Sequence, residues 1–269
     1  TEGTNLVHTV TLTGATINPT TYAFSLADGT ASGGGVDYTN TPVFNNGVTL
    51  NAGILTVPAG VTSFTVTVPT TSDTIDEANE TYTLNVGAAS GTGTITDDDA
   101  APTISSVTAD TQTEGTDLVH TVTLSNASSS STSFAYTLGG GSATGGGTDY
   151  TTPPTFSNGV TLVAGNLIVP AGVTSFTITV PTTLDTIDEG ASETYSVSVG
   201  GVSNTGTISD DDNAPTISSV SDASATEATS IVHTVTLSNA SSVATTYSLS
   251  LVDGTATGSG TDYTSTLLN

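Results

Sequence analysis

Thr113-Glu114-Gly115-Thr116-Asp117-Leu118-Val119-His120-Thr121-Val122-Thr123-Leu124 opens on an acidic turn and runs into a segment of period two. Leu118, His120, Val122 and Leu124 fall on one face, and Val119, Thr121 and Thr123 on the other, the alternation of a half-buried β-strand. The pattern recurs upstream as Thr1-Glu2-Gly3-Thr4 followed by Leu6, His8, Val10 and Leu12. It returns downstream as Thr226-Glu227-Ala228-Thr229 followed by Ile231, His233, Val235 and Leu237. The chain is an array, and the repeat is the unit to interpret.

The clearest unit spans residues 101–212, from Ala101-Pro102-Thr103-Ile104-Ser105-Ser106-Val107 to Gly206-Thr207-Ile208-Ser209-Asp210-Asp211-Asp212. The first copy, 1–99, has no counterpart of the opening strand, and the third, 214–269, carries roughly half a unit. A half unit closes no sandwich core alone, so we expect a window onto a longer array. A complete unit is long enough to bury its own core. The linkers Asp97-Asp98-Asp99-Ala100-Ala101-Pro102 and Asp210-Asp211-Asp212-Asn213-Ala214-Pro215 are too short to act as flexible tethers. Successive units should therefore touch or nearly touch.

Further alternating runs are Tyr22-Phe24-Leu26, Phe64-Val66-Val68 and Tyr82-Leu84-Val86, with counterparts Phe134-Tyr136-Leu138, Phe176-Ile178-Val180 and Tyr195-Val197-Val199. Seven strands are predicted in the second copy, near 103–109, 118–125, 133–138, within 156–168, 175–180, 194–199 and 205–209. Pro153, Pro154 and Pro170 break up the fourth region, and Asn158-Gly159 suggests a small hairpin there. No amphipathic helix competes, so the expected fold is all-β: tandem seven-stranded antiparallel β-sandwich modules, immunoglobulin-like and arranged end to end.

That topology gathers scattered acids. If the strands alternate in direction, four loops share one end of each sandwich. In the second copy they carry Glu114, then Asp149, then Asp185, Asp188, Glu189 and Glu193, then Asp210, Asp211 and Asp212. In the first copy they carry Glu2, then Asp37, then Asp73, Asp76, Glu77 and Glu80, then Asp97, Asp98 and Asp99. This acidic pole lies at the joint to the next unit.

Composition narrows the chemistry. The chain holds 25 acidic residues and no Lys or Arg, for a formal charge of -25. Nucleic acid and anionic membrane surfaces both require a cationic footprint, so neither is an expected partner. No apolar span reaches membrane-crossing length. With no Cys there is neither a disulfide framework nor thiol chemistry. Crowded carboxylates without basic partners suit a hard, oxygen-seeking cation, and Ca²⁺ accepts six to eight oxygens in flexible geometry. Mg²⁺ fits an irregular cage less well, and one His per repeat without Cys argues against Zn²⁺. The plainer reading makes the acids a solubilising surface. Their return to one pole favours the cation.

Gly147-Thr148-Asp149-Tyr150, Asp185-Thr186-Ile187-Asp188-Glu189 through Glu193-Thr194-Tyr195, and Gly206 through Asp212 together resemble the Calx-beta family. Those modules are calcium-binding β-sandwiches of exchangers, integrins and large bacterial surface proteins. The resemblance implies calcium at Glu114, Asp149, Asp185, Glu189, Asp210, Asp211 and Asp212. In the first copy it implies Glu2, Asp37, Asp73, Glu77, Asp97, Asp98 and Asp99, and in the third Glu227 and Asp262. Asp76 and Asp188 are added as further candidates. Glu80 and Glu193 are read either as ligands or as loop caps. The longer region 150–171 departs from the family pattern.

Other residues take simpler roles. His8, His120 and His233 are expected to be hydrogen-bonded structural histidines, and Tyr38, Tyr150 and Tyr263 anchors for the neighbouring Asp. Glycoside hydrolysis needs two carboxylates across a cleft, and a chain with 5% aromatics and no Trp offers none, so no enzyme is expected. The leading expectation is a calcium-stabilised spacer of an extracellular or cell-surface adhesin, with adjacent repeats of the same polypeptide as its immediate partners. Surface glycan or protein would be met by domains outside this chain. The alternatives are a segment of a self-associating surface fibre or surface layer, joined to like chains, and a carbohydrate-binding module using Thr-rich faces such as Thr65 and Thr67.

Overall fold

The computed structural model describes residues 1–264, and every regular element among them is a strand. Among the described residues no helix is long and apolar enough to cross a membrane. The first unit contains β1 (Leu6–Thr11), β2 (Thr20–Asp28), β3 (Val43–Phe44), β4 (Thr49–Asn51), β5 (Ile54–Val57), β6 (Ser63–Val68), β7 (Glu80–Val86) and β8 (Ala89–Ile95). The sheets run β1-β6-β3 and β4-β5-β2-β7-β8. Alternate side chains of β5, β6 and β7 close the core between them, with Leu55, Val57, Val66, Val68 and Tyr82 all at 0% exposure.

The second unit contains β9 (Ile104–Val107), β10 (Asp110–Thr113), β11 (Leu118–Leu124), β12 (Thr132–Gly139), β13 (Thr155–Phe156), β14 (Thr161–Val163), β15 (Asn166–Val169), β16 (Ser175–Val180), β17 (Ile187–Asp188), β18 (Glu193–Val199) and β19 (Val202–Ser209). One sheet is β13-β16-β11-β9 and the other β10-β19-β18-β12-β15-β14. The two apolar faces meet in one cluster that includes Leu118, Val122, Leu167, Phe176, Ile178 and Val197. The sandwich is the expected one, but its strand inventory differs from the seven read in the sequence.

Three differences have physical causes. The opening strand is split: β9 pairs antiparallel with β11, and after Thr108 and Ala109 the chain crosses to the other sheet, where β10 runs parallel to β19. The crossing is secured by Asp110, whose Oδ2 accepts the Val119 N–H at 2.7 Å. The hairpin in the fourth region lies at Ala164-Gly165, between β14 and β15, with φ of 48° and 82° as a type I′ turn demands. Asn158-Gly159 also has positive φ, but it turns the chain from β13 in one sheet to β14 in the other. The region 150–171 thus supplies an edge strand to each sheet.

His120 is fully buried, its Nε2 2.9 Å from the Tyr195 hydroxyl and its Nδ1 2.7 Å from the Thr108 carbonyl oxygen. Gly206 makes room for this tyrosine, since a Cβ there would lie 2.3 Å from the ring. Gly93 does the same for Tyr82, which bonds His8.

The third unit contributes β20 (Ile217–Val220), β21 (Val235–Leu237) and β22 (Ala240–Ser241). β20 and β21 pair antiparallel, and Ile217, Val220, Val235 and Leu237 remain exposed, since among the described residues no second sheet covers them.

Candidate metal centres

Each acidic loop is positioned by a specific piece of backbone. Parallel pairing of β10 with β19 sets Thr113 opposite Ser209, so Glu114 arrives beside the chain exit, its N–H bonded to the Ser209 carbonyl at 3.1 Å. Glu2 repeats this against Thr96 at 3.0 Å. Asp149 closes its glycine-rich loop by accepting the Thr144 N–H, and its own carbonyl takes the Thr183 N–H at 2.9 Å. The next residue, Tyr150, is buried against Tyr195 with ring centroids 4.9 Å apart, so the loop is anchored in the core. Tyr38 stacks on Tyr82 at 4.6 Å in the first unit.

Asp210 organises the remaining loop. Its Oδ2 accepts the N–H groups of Glu189 and Gly190 at 3.0 and 3.1 Å, and its Oδ1 accepts that of Asp212 at 2.9 Å. Asp97 does the same for Glu77 and Asp99. Asp185 and Asp73 each cap a tight turn through the N–H two residues on, at 2.7 Å.

Four carboxylate triads result. In the second unit Glu114, Asp185 and Asp212 form one, and Asp149, Glu189 and Glu193 the other; the first unit has Glu2, Asp73 and Asp99, then Asp37, Glu77 and Glu80. Within each triad the oxygens lie within 4.8 Å of one another. Glu80 and Glu193 join the triads because each is the first residue of a strand that points its carboxyl back to the pole. Asp98 and Asp211 lie outside the triads. The described residues of the third unit form none; Asp262 accepts the Thr257 N–H at 2.7 Å, the same loop closure as at Asp149.

Asp76 and Asp188 stand outside the triads and sit at the joints. The Asp76 N–H donates to Ala127 O at 3.1 Å, and its carbonyl accepts from Ser129 N at 2.9 Å and Ser128 Oγ at 3.2 Å. At the next joint β17 pairs parallel with β22, and Ser241 Oγ lies 3.0 Å from Asp188 O and 2.7 Å from Asp188 Oδ2. Asn126 and Asn239 tie down the linkers, donating to Ala100 O at 2.8 Å and Asn213 O at 2.9 Å. These serines and asparagines were missed in the sequence, although Ser-Asn-Ala-Ser stands at both 125–128 and 238–241.

The triads are electrostatically strained without a cation. Burial, then the charges of Asp185 and Asp212, push the Glu114 carboxyl up to about 7. Burial and Asp149 push Glu193 up to about 7, and burial and Asp37 do the same to Glu80. Glu2, Glu77 and Glu189 are also raised, chiefly by burial. Glu2 Oε2, Glu114 Oε1, Glu193 Oε2 and Asp212 Oδ2 are buried with no hydrogen-bond partner. Buried acceptors are rarely left so, and an all-oxygen set of this kind fits a hard divalent cation.

Sandwiches in tandem, each complete one carrying two carboxylate triads at a single pole, define an immunoglobulin-like array with an acidic seam. The chain belongs to the Calx-beta domain family, whose model matches residues 2–109, 97–208 and 210–268. Among solved structures it is similar to the calcium binding domain CBD12 of CALX1.1, with 18% identity, 72% of this chain and 73% of that one covered, and a TM-score of 0.29. CBD12 from CALX1.2 matches at 17% identity over 72% of each chain, with a TM-score of 0.29. The endo-fucoidan hydrolase MfFcnA4 from glycoside hydrolase family 107 matches at 13% identity over 79% of this chain and 27% of its own, with a TM-score of 0.24. No curated protein matches the chain.

Proposed function

We propose that this chain is a calcium-stabilised spacer of an extracellular or cell-surface protein, an adhesin by the family reading, in which bound cations stiffen the joints between sandwich units. The observation that carries this reading is the set of buried, unpartnered carboxylate oxygens in a chain with no Lys or Arg to pair them. Calcium would be held by Glu114, Asp185 and Asp212, and by Asp149, Glu189 and Glu193, with the equivalent triads in the first unit. It would supply positive charge and oxygen coordination where the polypeptide supplies only acceptors. Asp185 and Glu189 flank β17, the strand that meets the next unit, so ordering the metal loop also orders the joint. The function is mechanical, and the reading assigns no catalytic step.

Titration calorimetry with Ca²⁺ and small-angle scattering test it together. Calcium should bind and narrow the distribution of inter-unit distances relative to chelator. Absence of binding heat and of any rise in melting temperature would overturn the assignment.

A further inference from the structure

One flank of each complete sandwich carries no charge. Between Asp37 and Asp73, and again between Asp149 and Asp185, the sequence holds neither Asp nor Glu. In the second unit this stretch contains β13 to β16, and the first two of these strands are outer edges of the two sheets. A sheet edge presents unpaired N–H and C=O groups, and charge, proline or a bulge usually guards it. Pro153 and Pro154 stand before β13, and on the opposite flank β10 opens with Asp110. β14 has no such guard: Thr161, Leu162 and Val163 are all exposed, Leu162 by 38% and Val163 by 55%. Its counterpart β4 is more polar, with Asn51 in the place of Val163.

Backbone geometry selects which groups of β14 are free. Val163 and Asn166 close the two-residue hairpin over Ala164-Gly165, and such a closing pair exchanges both hydrogen bonds. The next pair, Leu162 with Leu167, is then a non-bonded one, so the N–H and C=O of Leu162 face the open edge. We propose that β14 is a self-pairing edge that joins this chain to a second copy, antiparallel about a two-fold axis at Leu162. Leu162 would exchange two backbone hydrogen bonds with its equivalent, and Thr161 of each copy would face Val163 of the other. The two six-stranded sheets would become one. Charge selects both partner and orientation. A basic partner would be drawn to the acidic poles, whereas a like chain meets least repulsion on the flank without acids. Antiparallel pairing sends the poles of the two copies in opposite directions, and a parallel pair would set them side by side. With only three residues in the strand the contact is small, of the transient class. The proposal requires no metal and stands apart from the spacer reading.

Sedimentation equilibrium of the 269-residue chain, in calcium at physiological ionic strength, tests it. The apparent mass should rise from one chain toward two, and no further, as concentration increases. Val163→Glu should hold the mass at one chain, whereas Asn51→Glu, the same charge at the matching edge of the first unit, should leave the rise unchanged. Amide exchange in the unsubstituted chain gives a reading that needs no variant. Leu162 should slow by about ten-fold between dilute and concentrated samples, while Leu50, its counterpart in β4, should not. A single-chain mass at every concentration would overturn the proposal, as would growth beyond two chains. So would association that survives Val163→Glu or is lost with Asn51→Glu, or Leu162 exchange that does not respond to concentration.

Discussion

Glu193 occupies a place where a neutral carboxyl is at ease and a carboxylate is not, and Glu114 and Glu80 share that condition. The three are raised to about 7 in the folded chain against 4.5 for a free glutamate, so between those values the folded state holds more protons than the unfolded one. The stability these three groups contribute without metal is therefore fully present below about 4.5 and is lost as pH rises through about 7. Thermal melts in chelator should show a transition several degrees lower at pH 7.5 than at pH 5. Calcium should reverse the trend, because it requires the deprotonated form. Substituting Glu193→Gln should raise the melting temperature in chelator, by removing repulsion, and lower calcium affinity by on the order of ten-fold or more. Most triad members were legible in the sequence because alternation fixes which loops share a pole. Asp188, read in the sequence as a further candidate ligand, stands outside the triads: Ser241 Oγ of the next unit donates to its carbonyl and to its Oδ2, a contact that no spacing of acids announces.

At the scale of elements, the tyrosine over a glycine is the most sensitive contact. Gly206→Ala places a Cβ 2.3 Å from the Tyr195 ring, and that ring cannot retreat without breaking the His120 bond. Denaturant unfolding should show a loss of ~1–3 kcal/mol in the second unit, the usual scale of overpacking. The sandwich itself was readable from strands such as β11 and β16, whose apolar residues keep strict period two. The break between β9 and β10 was not, since Thr108-Ala109 contains neither Gly nor Pro and the switch of sheets shows only in the hydrogen bonds of Asp110. Asn158-Gly159 misled for a related reason. It specifies a turn with two positive φ values, but a turn does not say whether the strands on either side will pair with each other.

The whole molecule carries a formal charge of -25 and no Lys or Arg to balance it, so its acidic poles repel unless cations or protons neutralise them. In chelator at low salt the inter-unit distance distribution should be broad. Added monovalent salt should narrow it only partly, since screening weakens repulsion without coordinating the triads. Ser241→Ala tests the joint separately from the metal. It removes the Oγ bonds to Asp188, and spin-label distances between the second and third units should broaden while the melting of each sandwich is unchanged. The two seams use the same parts: Asp76 meets Ser128 as Asp188 meets Ser241, and Asn126 and Asn239 hold their linkers alike. Loss of one whole period by recombination would bring Asp76 opposite Ser241 and regenerate the same seam. The number of units can thus change by whole periods with no new interface having to evolve.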